Sequence, residues 1–197
     1  MVEFHSTTQS VNTLIGYPLG VFRGDAGSLI EVKRQTTVGL DNRVDAENIY
    51  VASDIAGALS LKMSGTGDLV LTNRAFSSCG DLEVVSGTLS FANDATWLNG
   101  SNVTVRGTGT LRLDGGGRFG KHVAMHLGED GESWRIAMPN GGTQRVAHLY
   151  AADGTLLPSG QYGASGVAGV TQTRYSSHFE GTGLLRVGEL GTRIILR

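Results

Sequence analysis

Short runs in the middle of the chain alternate apolar and polar positions: Leu82-Glu83-Val84, Leu89-Ser90-Phe91, Val103-Thr104-Val105 and Leu111-Arg112-Leu113. A period of two is that of a strand with one buried face. Glycine and threonine stand before these runs, as in Gly65-Thr66-Gly67, Ser86-Gly87-Thr88 and Gly107-Thr108-Gly109, and again in the tail as Gly181-Thr182-Gly183 before Leu184-Leu185-Arg186-Val187. Glycine permits the backbone of a corner, and threonine favours the extended chain that follows. The copies recur regularly: 21 residues separate Leu82 from Val103, and 22 separate Gly87 from Gly109. A period near 20 residues is that of one coil of a solenoid. A strand this short cannot bury its apolar side alone, but equivalent side chains stacked coil upon coil share one dry column.

The predicted rungs are Leu29 to Val32, Ile49 to Val51, Leu59 to Met63, Leu69 to Leu71, Leu82 to Val84, Leu89 to Phe91, Val103 to Val105 and Leu111 to Leu113. The first 26 residues show little alternation and contain Pro18, so they read as an irregular lead-in or cap. Beyond Gly117 the spacing loses its regularity. Strands are expected at Val146 to Tyr150 and Leu184 to Val187, between turn clusters such as Asp153-Gly154 and Pro158-Ser159-Gly160. Only Lys121 to Leu127 has the composition of a short helical turn. The expected organisation is therefore a lead-in over 1–27, coils over 28–117, and C-terminal strands with a cap over 118–197.

Composition sharpens this picture. The chain has 197 residues, enough for a sizeable core, and its 30 glycines are about twice the average share. Sixteen basic against eighteen acidic residues give a net charge of −2, with no electrostatic footprint for nucleic acid or an anionic membrane surface. No apolar run reaches the roughly 18 to 20 residues of a transmembrane helix, so no membrane insertion is expected. The single cysteine, Cys79, excludes an intramolecular disulfide.

Two stretches carry a family likeness. Met63-Ser64-Gly65-Thr66-Gly67-Asp68-Leu69-Val70-Leu71-Thr72-Asn73, followed by Gly80-Asp81-Leu82-Glu83-Val84-Val85-Ser86-Gly87-Thr88-Leu89-Ser90-Phe91, resembles the autotransporter-associated β-strand repeat of bacterial surface and secreted proteins. The tail, Leu156 to Gly163 and then Phe179 to Val187, is similar to the segment that often ends such proteins. The resemblance implies an all-β, right-handed parallel β-helix, export to the medium or the cell surface, and service as a stalk, adhesin or accessory module. No long outer-membrane barrel follows the repeats, so the chain is expected to be part of a larger polypeptide.

Gly115-Gly116-Gly117-Arg118-Phe119-Gly120 has dinucleotide-loop spacing after a strand, but no acidic residue stands about 20 positions on, and a glycine-rich turn is the better reading. His122 and His126 stand four apart without the glutamate of a zinc protease, and Asp41, Asp45 and Glu47 lack the pattern of a calcium loop. No metal site and no cofactor is expected. Asp81 with Glu83, or Glu129 with Glu132, offer carboxylates of the type glycosidases use, but an outward acid on a strand normally serves solubility. Trp97 and Trp134, with Tyr150, Tyr162 and Tyr175, have the aromatic faces on which sugars stack, and Trp97 is expected on an exposed connection. The expected function is a non-catalytic structural or adhesive module whose partner is an extracellular glycan or a host surface. The alternative is a carbohydrate-binding module attached to a polysaccharide-degrading enzyme.

Overall fold

The computed structural model describes residues 1–11, 21–34, 48–51, 54–72, 75–92 and 95–188. It is all-β and its strand pairs are mostly parallel; among the described residues the one helical piece is the 3-10 turn Ser176–His178. Most strands fall into three stacks; Thr143–Val146, Leu184–Val187 and Gly160–Tyr162 form a separate small sheet in which the last two pair antiparallel.

The first stack runs from Thr8–Val11 through Leu29–Arg34, the start of Ser60–Leu71, the start of Leu82–Phe91, Asn102–Val105 and Ala124–Leu127 to His148–Tyr150. Its inward column is Ile30, Leu61, Leu82, Val103, Met125 and Leu149, each paired in register with the next and all buried. The second stack joins Asn48–Val51, the far halves of the same two long strands, Thr110–Leu113, Arg135–Met138 and Phe179–Gly181. Leu69, Leu89, Leu111, Ile136 and Phe179 form its column, also in register and buried. The third stack is shorter-stranded: Val2–Phe4, Val21–Gly24 and Asp54–Gly57 pair in parallel, Ala75–Phe76 pairs with Thr96–Trp97, and Trp97 bridges to Phe119.

The chain visits these stacks in a fixed order, so that inward residues recur as Ile55, Leu61, Leu69, then Phe76, Leu82, Leu89, then Trp97, Val103, Leu111, then Phe119, Met125, Ile136. All twelve are buried in one cluster. Parallel pairing at constant register places like beside like, which is why the first two columns are mostly aliphatic, with Phe179 at the end of the second, while Phe76, Trp97 and Phe119 follow Ile55 along the third. Phe76 and Trp97 lie 5.8 Å apart between ring centroids.

Corners follow from glycine. Gly107 has φ +65°, and a Cβ there would stand 2.5 Å from the Val85 carbonyl oxygen of the preceding layer. Any side chain would clash with backbone that cannot retreat without breaking the register. The two long strands each turn such a corner within their length, at Gly67 (φ +89°) and Gly87 (φ +69°), and their pairing shifts between Met63 and Asp68.

Three expectations change. Residues 1–26 are not irregular throughout, since Val2–Phe4, Thr8–Val11 and Val21–Gly24 are paired strands. Thr8 to Ser10 are polar and exposed, so backbone pairing places them and they leave no hydrophobic signal. Pro18 lies outside the described residues. Lys121 to Leu127 forms no helical turn: Ala124–Leu127 is a strand whose Met125 and Leu127 complete the column above Val103 and Val105. Nor do the columns expected over 28–117 end there. The same columns continue through Met125, Ile136, Leu149 and Phe179, but longer connections separate them and hide the period.

Leu111 has paired neighbours on both sides in its column. Leu111→Ala is expected to lower stability by about 2–5 kcal/mol, read as the midpoint of urea unfolding. Leu156→Ala, at a residue 56% exposed, is expected to stay within about 0.5 kcal/mol. Equal effects at both positions would mean that the column carries no special load.

Candidate functional site

The outward positions of the first stack are Ser10, Glu31, Lys62, Glu83, Thr104, His126 and Tyr150, one from each successive strand in register. Its first half is a ladder of alternating charge. Lys62 lies 3.5 Å from both Glu31 and Glu83, and Arg106 reaches Glu83 at 2.7 Å. The Ser64 hydroxyl donates to Glu31 at 2.8 Å, and this bond does most to hold that carboxyl down to about 2; the Lys33 ammonium at 3.1 Å, the Ser10 hydroxyl and the Lys62 charge add to it. On the second stack burial pushes Asp68 the other way, upward, although the Ser90 hydroxyl at 2.7 Å and the Arg112 charge draw it back.

The second half of the ladder is aromatic and borders a cleft. The His126 ring stacks on Tyr150 with centroids 4.9 Å apart, and its Nε2 is 3.3 Å from Asn102 Oδ1. Beyond the strand ends, the corners at Arg106, at Gly128 to Glu132 and at Ala151 to Gly154 enclose a cavity of about 410 Å³. A second cavity of about 320 Å³, walled by Asp130, Asp153, Arg174 and Tyr175, shares Gly128, Glu129, Ala151 and Ala152 with the first. The two form one trough with a floor of glycine and alanine and a polar rim.

The trough's walls are fixed from beneath. One Glu132 carboxylate oxygen accepts the backbone N–H groups of Gly107 at 2.8 Å and Glu129 at 3.1 Å, tying two successive corners together. Trp134 Nε1 donates to the Glu129 carbonyl, and its indole stacks on His178 at 4.0 Å. Tyr175 has φ +67°, a left-handed conformation costly for a bulky residue, and is held there by Trp134 on one side and the Arg174 guanidinium, 4.8 Å from its ring centroid, on the other.

Comparison with protein-family models, curated proteins and solved structures gave no match. What the trough does has to be read from its own chemistry.

The residues singled out from sequence occupy different places. Trp97 is not on an exposed connection: both Trp97 and Trp134 are wholly buried, and neither offers a ring face to a ligand. Trp97 sits in the third stack and donates to the Gly80 carbonyl at 3.0 Å, because the largest apolar surface gains most from the interior once its N–H has a partner. Tyr162 is buried with its hydroxyl on the Pro158 carbonyl at 2.7 Å. The run from Gly115 forms a turn and not the start of a helix; the buried Arg118 that follows donates to the carbonyls of Ala95 and Asp114. His126 is on the strand Ala124–Leu127 and His122 lies in the turn before it, so the two imidazoles do not share a helical face. Among the described residues no three His, Cys, Asp or Glu gather as metal ligands. Asp41, Asp45 and Glu47 lie outside them. Cys79 is exposed, with its sulfur 3.2 Å from the Gly57 carbonyl oxygen.

Of the four acids weighed for sugar chemistry, Asp81 accepts from the backbone and side chain of Asn102, Glu83 is paired with Lys62 and Arg106, and Glu132 clamps the corners. Glu129 alone of the four lines both cavities. Sequence reading missed Arg106, Ala152 and Arg174, since corners from separate layers meet only through the register.

Two measurements follow from this geometry. Glu31 is depressed in the fold, so its contribution to stability is complete above its ordinary value near 4.5 and is lost as pH falls through about 2. The stability difference between the native chain and Glu31→Gln is therefore expected to shrink steadily between those two values, as followed by unfolding at graded pH; a constant difference would contradict the ladder. Trp97→Ala is expected to cost about 3–5 kcal/mol, by thermal or urea unfolding, as the loss of a buried indole.

Proposed function

We propose that the chain is a right-handed parallel β-helix that serves as a non-catalytic structural or adhesive module of an exported bacterial surface protein. The observation that carries the reading is the unbroken register of the inward columns, Leu69 on Leu89 on Leu111 and Leu61 on Leu82 on Val103. Three stacks visited in constant order make a closed coil the simplest path for the chain. Connections between parallel strands of one sheet are right-handed in about 98% of cases, which supplies the hand.

A coil of this kind serves a surface module well. Each layer rests on its neighbours, so length is added without enlarging the core, and outward side chains stand at strand spacing along a rigid face. The repeat likeness at Met63 to Phe91 supports export, and the outward ladder with its adjoining trough supports contact with something outside. The rest of a larger polypeptide is the proposed neighbour, and an extracellular glycan or host surface the proposed partner.

The test is location. Intact cells of the source bacterium are treated with proteinase K and probed with antibody to this chain. Loss of the signal from unbroken cells, or its recovery in the medium, is expected. Protection until lysis would overturn the reading.

A further inference from the structure

We propose that the corner trough binds neutral or amino-substituted sugar rings of an extracellular glycan. The inference rests on the adhesive reading above and names the ligand class of that site. A pyranose has weakly polar faces rimmed by hydroxyls that both donate and accept. The trough matches this pattern. Gly128, Ala151 and Ala152 line both cavities with nothing larger than a methyl group, which lets a flat ring approach the backbone, and Glu129 lines both as well. Arg106 and His126 border one end, and a joined pair of cavities of about 410 and 320 Å³ has room for more than one ring.

Charge selects among sugars. Glu129, Glu132, Asp130 and Asp153 outnumber Arg106 and Arg174 around the trough, and the two guanidinium groups already face Glu83 and Asp130. The surplus of negative charge would repel uronates and sulfated sugars, whereas it would not repel hydroxyl or ammonium groups. The structure also disfavours an extended peptide here. Peptides commonly add to a free strand edge, but the edge of His148–Tyr150 beside the trough is covered: Leu157 N–H donates to the Leu149 carbonyl at 2.8 Å, and Tyr150 bridges Leu156.

The purified chain is applied to an immobilised panel of cello-, xylo-, galacto- and chito-oligosaccharides, with oligogalacturonate and heparin fragments as the anionic arm. Saturable binding to a neutral or amino arm is expected, with weaker response from the anionic arm. Ala152→Trp, which fills the exposed floor, and Glu129→Ala, which removes the acceptor, are each expected to weaken binding at least tenfold at unchanged melting temperature. No saturable signal in the neutral and amino arms, a dominant anionic response, or undiminished binding by both variants would overturn the proposal. The cell-surface experiment involves no sugar, so a silent panel leaves the location reading standing, and a failure of surface exposure is told apart from a failure to bind.

Discussion

Parallel pairing at fixed register is the constraint on which the molecule depends. A hydrogen-bonded layer dictates which residue stands above which, and a slip of one position would turn every inward leucine outward and every outward charge inward. Burial and backbone bonding therefore enforce the same alignment. This is why short strands suffice: Thr110–Leu113 has only four residues, yet both Leu111 and Leu113 are wholly buried because the layers on either side enclose them. The corner glycines belong to the same constraint, since the Val85 carbonyl beneath Gly107 leaves no room for a side chain unless the layers separate.

The outward surface inherits that alignment without contributing much to the core. Because Glu31, Lys62 and Glu83 occupy equivalent positions, alternation of charge along the stack follows from three single-residue choices. Like charges at those sites would stand one strand spacing apart and repel. Glu31 is the most strongly stabilised anion of the ladder because it gathers hydroxyl donors from the layers on both sides, Ser10 and Ser64, as well as two ammonium groups. A stack thus converts a point substitution into an interaction with two neighbours.

Much of the central architecture was legible in sequence. Alternation at Leu82 to Phe91 and Val103 to Leu113, together with glycine at the corners, predicts which side chains face inward, and Leu69, Leu89 and Leu111 lie side by side in one sheet. The ends were harder. Thr8 to Ser10 are polar and exposed, so pairing alone reveals their strand. Ala124–Leu127 has the composition of a helix former and became a strand because the column above Val103 and Val105 required Met125 and Leu127. The tryptophans illustrate a different limit. Their polar N–H makes exposure plausible from sequence, but partners for it, the carbonyls of Gly80 and Glu129, exist only once distant corners have met. The trough is the extreme case, since Arg106, Glu129, Ala152 and Arg174 share no spacing that a linear reading would notice.

Ending the stack and creating the trough are one structural event. An open parallel edge at His148–Tyr150 would present unpaired backbone groups to any passing strand. The chain covers it by turning back: the Ala151 N–H donates to the Thr155 carbonyl at 2.9 Å, and the Leu157 N–H donates to the Leu149 carbonyl. The return needs the tight turn at Ala152 to Gly154, and the excursion that follows brings Arg174 and Tyr175 back beside Asp130 before Phe179–Gly181 rejoins the second stack. Small residues at the turn keep the floor low while the returning segment raises a wall. Where the regular layers stop, the same backbone requirement that kept the rest of the surface flat leaves a recess.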